Sequence, residues 1–398
     1  MALVCKPFGD IITFTRASTA TYFDSTGTLQ SAAIDAPRLD YNPSTLAAQG
    51  LLIEESRQNL LTYSAQFDNA AWAKTRSSIT ANATTSPDGT ANADKLVEDS
   101  TASNTHQTTQ GFAKATAAIQ YTASLYVKAS ERTFCVVALT DAGGFVVAGI
   151  NLSTGAAQIN GTSGWTSATV SSQTVSNGWY RFQITATSTA DNTVNMIVRT
   201  ATAINVDNYT GDGTSGIFVF GAQLEAGAFP TSYIPTTTTA LTRAADVASV
   251  NTLSPWYNSA SGTLYVESTT PPGLAGFPNS IGISDGTVNN RMLTYVFTNG
   301  FYSGITTGGV SQGNAPVFVT PTVGAASKFA AAYNTNLLQS ALNGTAGTPD
   351  TTINLPSGLN IMRIGAATLS SNFYNSHIQR ITYYPRAFSQ TELQTLTT

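Results

Sequence analysis

Charge is what this sequence has least of. Of 398 residues only 10% are Asp, Glu, Lys or Arg, against about 25% in an average soluble domain. So sparse a charge set excludes a coiled coil or a long solvated helix as the main architecture, because both need charged faces. Histidine is almost absent: only His106 and His377 occur, so any Ser-His-Asp or Cys-His catalytic group would need one of them. His106, in a Thr/Asn-rich loop, reads as solvated, and His377 as a satisfied structural residue. No cluster of His, Cys and carboxylate at zinc-ligand spacing is visible, and neither a Gly-x-Ser-x-Gly elbow nor a Walker-type phosphate loop occurs. The two cysteines, Cys5 and Cys135, make no disulfide framework. Cys135 sits in the apolar run Phe134–Leu139 and reads as a buried reduced thiol, whereas Cys5 reads as open to solvent. The basic residues number 18 and are scattered, which leaves no footprint for nucleic acid or anionic lipid. No run approaches the ~18–20 apolar residues of a membrane span, and residues 1–7 lack the apolar core of a signal peptide. The expectation is a chain folded in a cytoplasm, with no membrane insertion.

What is abundant points to strands. The apolar fraction is 42% and the net charge −4, which is not a disordered composition. Thr, Ser, Asn and Gln supply the polarity, beside 32 Gly, 16 Tyr and 18 Phe, and this mixture favours strands and tight turns. Residues up to Leu61 form a turn-rich lead broken by Pro37, Pro43 and Gly50. From Tyr63 to about Ala228, alternating runs such as Tyr121–Lys128, Phe145–Leu152 and Trp179–Thr185 are separated by Gly-containing turns, the pattern of a sandwich. Pro230, Pro235 and the tract Thr236–Thr239 mark a boundary near Ala240. Beyond it come further strands, among them Gly262–Ser268, Arg291–Thr298, Phe301–Thr306, Pro316–Thr320 and Gln379–Tyr384, with Asn343-Gly344 closing or following a hairpin. Ser389 with Glu392 predicts a capped helix in the tail, Leu393 and Leu396 facing inward. The expected fold is all-β: two jelly-roll-like β-sandwich domains, 62–240 and 241–398, after a short irregular lead, 1–61.

Several phrases carry a resemblance. Thr15-Arg-Ala-Ser-Thr-Ala-Thr-Tyr22, Ala36-Pro-Arg-Leu-Asp-Tyr41, Gly50-Leu-Leu-Ile-Glu-Glu55 and Arg57-Gln-Asn-Leu-Leu61 stand in the lead. Ser86-Pro-Asp-Gly89, Gly221-Ala-Gln-Leu-Glu225, Thr231-Ser-Tyr-Ile-Pro-Thr236 and Arg243-Ala-Ala-Asp246 follow. This succession resembles tailed-bacteriophage structural proteins of the tail-fibre or appendage type, with a middle portion similar to carbohydrate-binding-module sandwiches. Ala330-Ala-Ala-Tyr-Asn334, Leu342-Asn-Gly344, Met362-Arg-Ile-Gly365 and His377–Arg386 resemble the concanavalin A-like lectin and laminin-G superfamily. The resemblances together span nearly the whole chain. They imply a virion protein assembled in the host cytoplasm, partnered by other virion proteins and bacterial-surface polysaccharide, in a homo-oligomer with a trimer favoured. The lead would dock on the particle or order the oligomer.

A lectin-like fold raises three chemistries. Glycoside hydrolysis needs two carboxylates about 5–9 Å apart, yet the acids of the last domain, Glu267, Asp285, Asp350 and Glu392, are isolated in sequence. A non-catalytic protein is therefore expected. Sugar binding needs an aromatic platform with a few polar groups. The candidates are Trp165 in a Gly-flanked loop, Trp256 after Pro255, Asn290 and Arg291 before a strand, and Tyr302 and Tyr374 near turns. Each has a plainer alternative, core packing for the aromatics and turn formation for Asn290-Arg291. Calcium wants six to eight oxygens; Asp207, Asn208 and Asp212 are the candidate ligands, with a polar turn as the alternative. No other cofactor is implied. The leading reading is attachment to bacterial-surface glycan. A purely structural decoration or joining protein and a polysaccharide depolymerase stand as its rivals.

Overall fold

The computed structural model describes residues 8–367 and 371–398; Cys5 lies outside them. The strand Arg291–Phe297 illustrates how the sequence builds the fold. Met292, Thr294 and Val296 are buried while Arg291, Leu293, Tyr295 and Phe297 are partly exposed on the other face. The same alternation appears in Ile361–Ile364, and the strands assemble into two antiparallel sandwiches.

The middle sandwich has two six-stranded sheets. Phe134–Asp141 and Thr193–Ala201 lie centrally in one, Gln120–Ala129 and Gly216–Ala226 in the other. Leu125, Val137, Phe182, Met196 and Val219 interleave between them. Cys135 is buried here as expected, and burial pushes its thiol well above the ordinary value.

The C-terminal sandwich has two seven-stranded sheets. One runs Thr13–Thr15, Val247–Val250, Ile361–Ile364, Asn279–Ser284, Arg291–Phe297, Gly300–Thr307, Val310–Val317. The other is centred on Gly262–Thr269 and Ser376–Tyr384 and has Ala48–Ile53 and Leu39–Tyr41 at one edge. The strand Val310–Val317 begins and ends earlier than the expected Pro316–Thr320. Pro316 cannot donate to a ladder, but an edge strand tolerates it, and there it pairs with Tyr302. Asn343 and Gly344 both take positive φ and close the turn between Leu342 and Thr345. The helix Gln390–Thr397 carries the expected capping box, with Ser389 and Glu392 bonded reciprocally. It packs Leu393 on Ala330, Ala332 and Ala341, whose small side chains admit its close approach.

The lead is not a separate body. Leu51–Ile53 pair with Ser376–Ile378 in one sheet, and Thr13–Thr15 pair with Val247–Ser249 in the opposite one. Gly50 sits at φ 95°, and a Cβ there would lie 2.4 Å from the Ile378 carbonyl oxygen, so this crossing requires glycine. Phe14, Leu51 and Ile53 are buried in the C-terminal core. Behind them lies an ionic cluster with almost no solvent contact. Arg16 meets Asp246 at 3.1 Å, Arg38 meets Glu54 at 2.7 Å and also Asp246, and Arg243 approaches Glu54 at 3.5 Å. Burial alone would raise the Glu54 carboxyl, but Arg243, Arg38 and hydrogen bonds from Ser232 outweigh it and hold it well below the usual range. Nearby, Glu225 accepts from Thr231 N at 3.0 Å and Gln223 Nε2 at 2.7 Å, yet burial leaves it raised.

Candidate glycan-binding groove

The outer face of the seven-stranded sheet that holds Arg291–Phe297 carries a groove of about 330 Å³. Its floor follows from register. Leu293 pairs with Gly282 on one side and Gly304 on the other, so two of three neighbouring positions have no side chain. A Cβ on Gly304 would meet the Tyr295 ring at 3.3 Å. One end is walled by aromatics. Tyr295 stacks on Tyr302 with ring centroids 5.2 Å apart and planes 8° apart, and Phe277 stacks on Phe297 at 4.3 Å and 8°. Phe277 also meets Tyr295 edge-on at 6.2 Å, and Phe318 meets Tyr302 edge-on at 6.1 Å.

Phe277 is 44% exposed and closes a short turn, Leu274–Gly276, with φ 51°. A bulky side chain in the left-handed region is uncommon and costs on the order of 1–3 kcal/mol. Asn279 Nδ2 donates to the Phe277 carbonyl at 2.6 Å and Asn372 Nδ2 to that of Gly276 at 2.6 Å, fixing the turn. The other end is polar. Arg291 lies four residues from Tyr295, about 13 Å along the strand, beside Thr306 and Ser311. Arg291 Nε and Asn279 Oδ1 are buried without hydrogen-bond partners. Among the described residues no Asp or Glu lines the groove. Burial raises the Tyr295 hydroxyl, which stays a neutral donor.

The residues singled out from sequence divide. Arg291 lines the groove, and Tyr302 supports its aromatic wall while donating to Asn299 Oδ1 at 2.8 Å. Asn290 is spent on its hairpin: it donates to Asp285 at 2.8 Å and accepts from Gly308 N at 2.9 Å. Trp256 packs edge-on against Tyr383 at 5.2 Å, against the C-terminal core and outside the groove lining. Tyr374 is buried, bonded to Ser268 at 2.8 Å, its hydroxyl pushed up to about 12 by burial. Trp165 is only 3% exposed and lies in the middle core. The chain crosses there from one sheet to the other, between Ala157–Ser163 and Thr166–Thr174, and the indole falls between them.

The calcium expectation does not fit these residues. Asp207 is paired with Arg199 at 2.7 Å, Asp212 accepts from Thr214 N and Ser215 N at 2.8 and 2.7 Å, and Asn208 is exposed and joins neither group. Among the described residues no three His, Cys, Asp or Glu gather as metal ligands. His106 is buried rather than solvated, its Nδ1 2.8 Å from the Arg76 carbonyl oxygen. His377 is engaged with Asp40 at 2.7 Å, as a structural residue would be. The isolated acids have separate duties: Asp285 binds Thr287 and Asn290, Asp350 binds Thr352, and Glu392 caps its helix. Phe277, Tyr295 and Gly304 are not among the residues the sequence singles out. Apolar residues occupy both faces of Arg291–Phe297, so no local pattern marks Tyr295 as outward, and Gly304 needs the register of its partner.

No family model matches the chain, and no curated protein matches it. Among solved structures it is similar to a native heptameric SAP-like pentraxin from Limulus polyphemus, at 11% identity and TM-score 0.29, covering 37% of this chain and 79% of that one. It is similar to domain 4 of AbnA, a GH43 extracellular arabinanase from Geobacillus stearothermophilus in complex with arabinotriose, at 12% and 0.31, covering 44% and 84%. It is also similar to domains LG4-5 of the mouse laminin alpha1 chain, at 9% and 0.25, covering 72% and 90%. Likenesses this slight carry no argument about ligand or role.

Proposed function

We propose that this chain is a non-catalytic glycan-binding protein. The observation that carries the reading is the groove: an aromatic wall, a glycine floor, and a polar end formed by Arg291, Thr306 and Ser311. A pyranose presents C–H faces to an aromatic plane and hydroxyls to such polar groups, and shallow polar-apolar grooves suit it. A lining without carboxylates favours binding over hydrolysis. The phage-like phrases of the sequence support a virion component that attaches to bacterial-surface polysaccharide. Presentation in a homo-oligomer, a trimer on that resemblance, would strengthen weak contacts by about 10²–10⁴. The test is saturable binding of labelled protein to whole host cells, removed by host polysaccharide and weakened about fivefold or more in Tyr295→Ala. Absence of binding by the folded protein would sink the reading.

A second reading, a joining protein of the particle, is favoured by one feature. Val310, Phe318, Val319 and Val323 are exposed on and beyond the edge strand Val310–Val317. Such a patch suits burial against a neighbouring virion protein. Cross-linking within assembled particles would then trap these residues against another chain.

A further inference from the structure

The groove's sheet has an unusual charge make-up. Its seven strands contain two arginines, Arg291 and Arg363, and no aspartate or glutamate. The whole chain, by contrast, carries net charge −4. Both arginines sit on the outer face, since their neighbours Met292, Met362 and Ile364 fill the core. Neither enters an ion pair or side-chain hydrogen bond among the described residues. Burial lowers the Arg363 guanidinium, and no carboxylate offsets that. Arg363 pairs with Gly282, which in turn pairs with Leu293 on the groove floor, so it stands about 10 Å from that residue across two strand spacings.

The nearest carboxylates are already engaged or face elsewhere. Asp285, in the turn preceding Arg291, accepts from Thr287 N, Thr287 Oγ1 and Asn290 Nδ2. Asp350 reaches Gly313 from the rim, where its backbone bonds Leu338 of the opposite sheet. The three most deeply buried arginines of the chain, Arg16, Arg38 and Arg243, all have carboxylate partners. Arg291 is only partly buried and, unlike those three, has no carboxylate partner among the described residues. Its half-open guanidinium is therefore free to present a planar fork that matches an oxyanion.

We infer that the groove selects an anionic polysaccharide, with Arg291 receiving the anionic group while neutral ring faces lie on the aromatic wall. This rests on the glycan-binding reading and narrows it. The shared chemistry is a sugar-borne oxyanion, either the carboxylate of a uronic acid or a phosphodiester. The experiment presents a panel of uronic acid polymers, the same polymers after carboxyl reduction to neutral sugars, and phosphodiester-linked polysaccharides. The readout is the ratio of affinities for charged and reduced forms, measured for the wild type, Arg291→Gln and Arg291→Lys. The wild type is expected to favour a charged polymer by at least about tenfold, less so in high salt. Arg291→Gln brings the ratio near one, and Arg291→Lys leaves it between the two. Preference for uronates or for phosphodiesters identifies the source of the charge. Equal affinity for charged and reduced polymers would overturn the inference and leave glycan binding standing. An undiminished ratio in Arg291→Gln would overturn the role of Arg291. Failure to bind any form would overturn both readings.

Discussion

Trp165 and Tyr302 show how far a single residue can be judged before its neighbours are known. Both are aromatics near glycine, and of the two Trp165 reads as the better platform. Trp165 lies where the chain crosses between sheets and is enclosed; Tyr302 lies on an outward position of a strand and stacks on Tyr295. The difference is set by partners distant in sequence, and no local pattern encodes it. Trp165→Ala should therefore cost about 3–5 kcal/mol of stability, read from denaturant midpoints. Trp165→Phe should lower the thermal midpoint and leave glycan affinity unchanged. A folded Trp165→Phe with lost glycan affinity would contradict its placement. Tyr295→Ala should do the reverse. Losing a stacked ring forfeits on the order of 1 kcal/mol of contact, about fivefold in affinity, at little cost to a face that is already half-open.

At the scale of elements, strands are legible where burial follows the pleat. Arg291–Phe297 is legible as a strand, but its inward side holds Met292, Thr294 and Val296 and its outward side Leu293, Tyr295 and Phe297, so its core-facing side cannot be read from the sequence. Tyr121–Lys128 and Phe134–Leu139 read as alternating strands; strands they are, but buried at nearly every position, so the alternation marks no open face there. The capped terminal helix is legible because Ser389 and Glu392 have a fixed spacing. Register is not legible. The groove exists because Gly282 and Gly304 flank Leu293, an alignment of three strands that depends on turn geometry. Filling the floor tests this. Gly304→Leu places a side chain against the Tyr295 ring and should abolish glycan binding, with a circular dichroism spectrum like that of the wild type. Retained binding in that variant would place the ligand elsewhere.

At the scale of the whole molecule, the phrases that resemble phage proteins acquire a physical meaning. Arg16, Arg38, Glu54, Arg243 and Asp246 come from four of those phrases and meet in one buried ionic cluster. Gln223, Glu225, Thr231 and Ser232 come from two more and form the adjoining network. The phrases thus mark the junction between the two sandwiches, while the groove lies outside them. Asp246→Ala, which leaves Arg16 without a carboxylate and Arg38 with Glu54 alone, should cost about 3–5 kcal/mol. The cluster also has an acid limit. Glu54 is depressed in the fold, so as pH drops the unfolded chain takes up the proton first. The stability it contributes is present above its unfolded value, about 4.3, and is lost as pH falls toward and through the lower folded value. Glu225, raised by burial, has the opposite sign. Glu54→Gln should therefore flatten the acid side of the stability profile relative to the wild type, in a comparison where Glu225 cancels. An unchanged slope between about pH 3 and 5 would mean that Glu54 is not held in this way.

The most direct test of the central claim is one set of binding isotherms. Wild type, Tyr295→Ala and Trp165→Phe would be titrated with the same purified host-surface polysaccharide. The groove account predicts saturable binding by the wild type and Trp165→Phe, and a loss of about fivefold or more in Tyr295→Ala. Equal affinities for all three proteins, or no binding by the folded wild type, would contradict it.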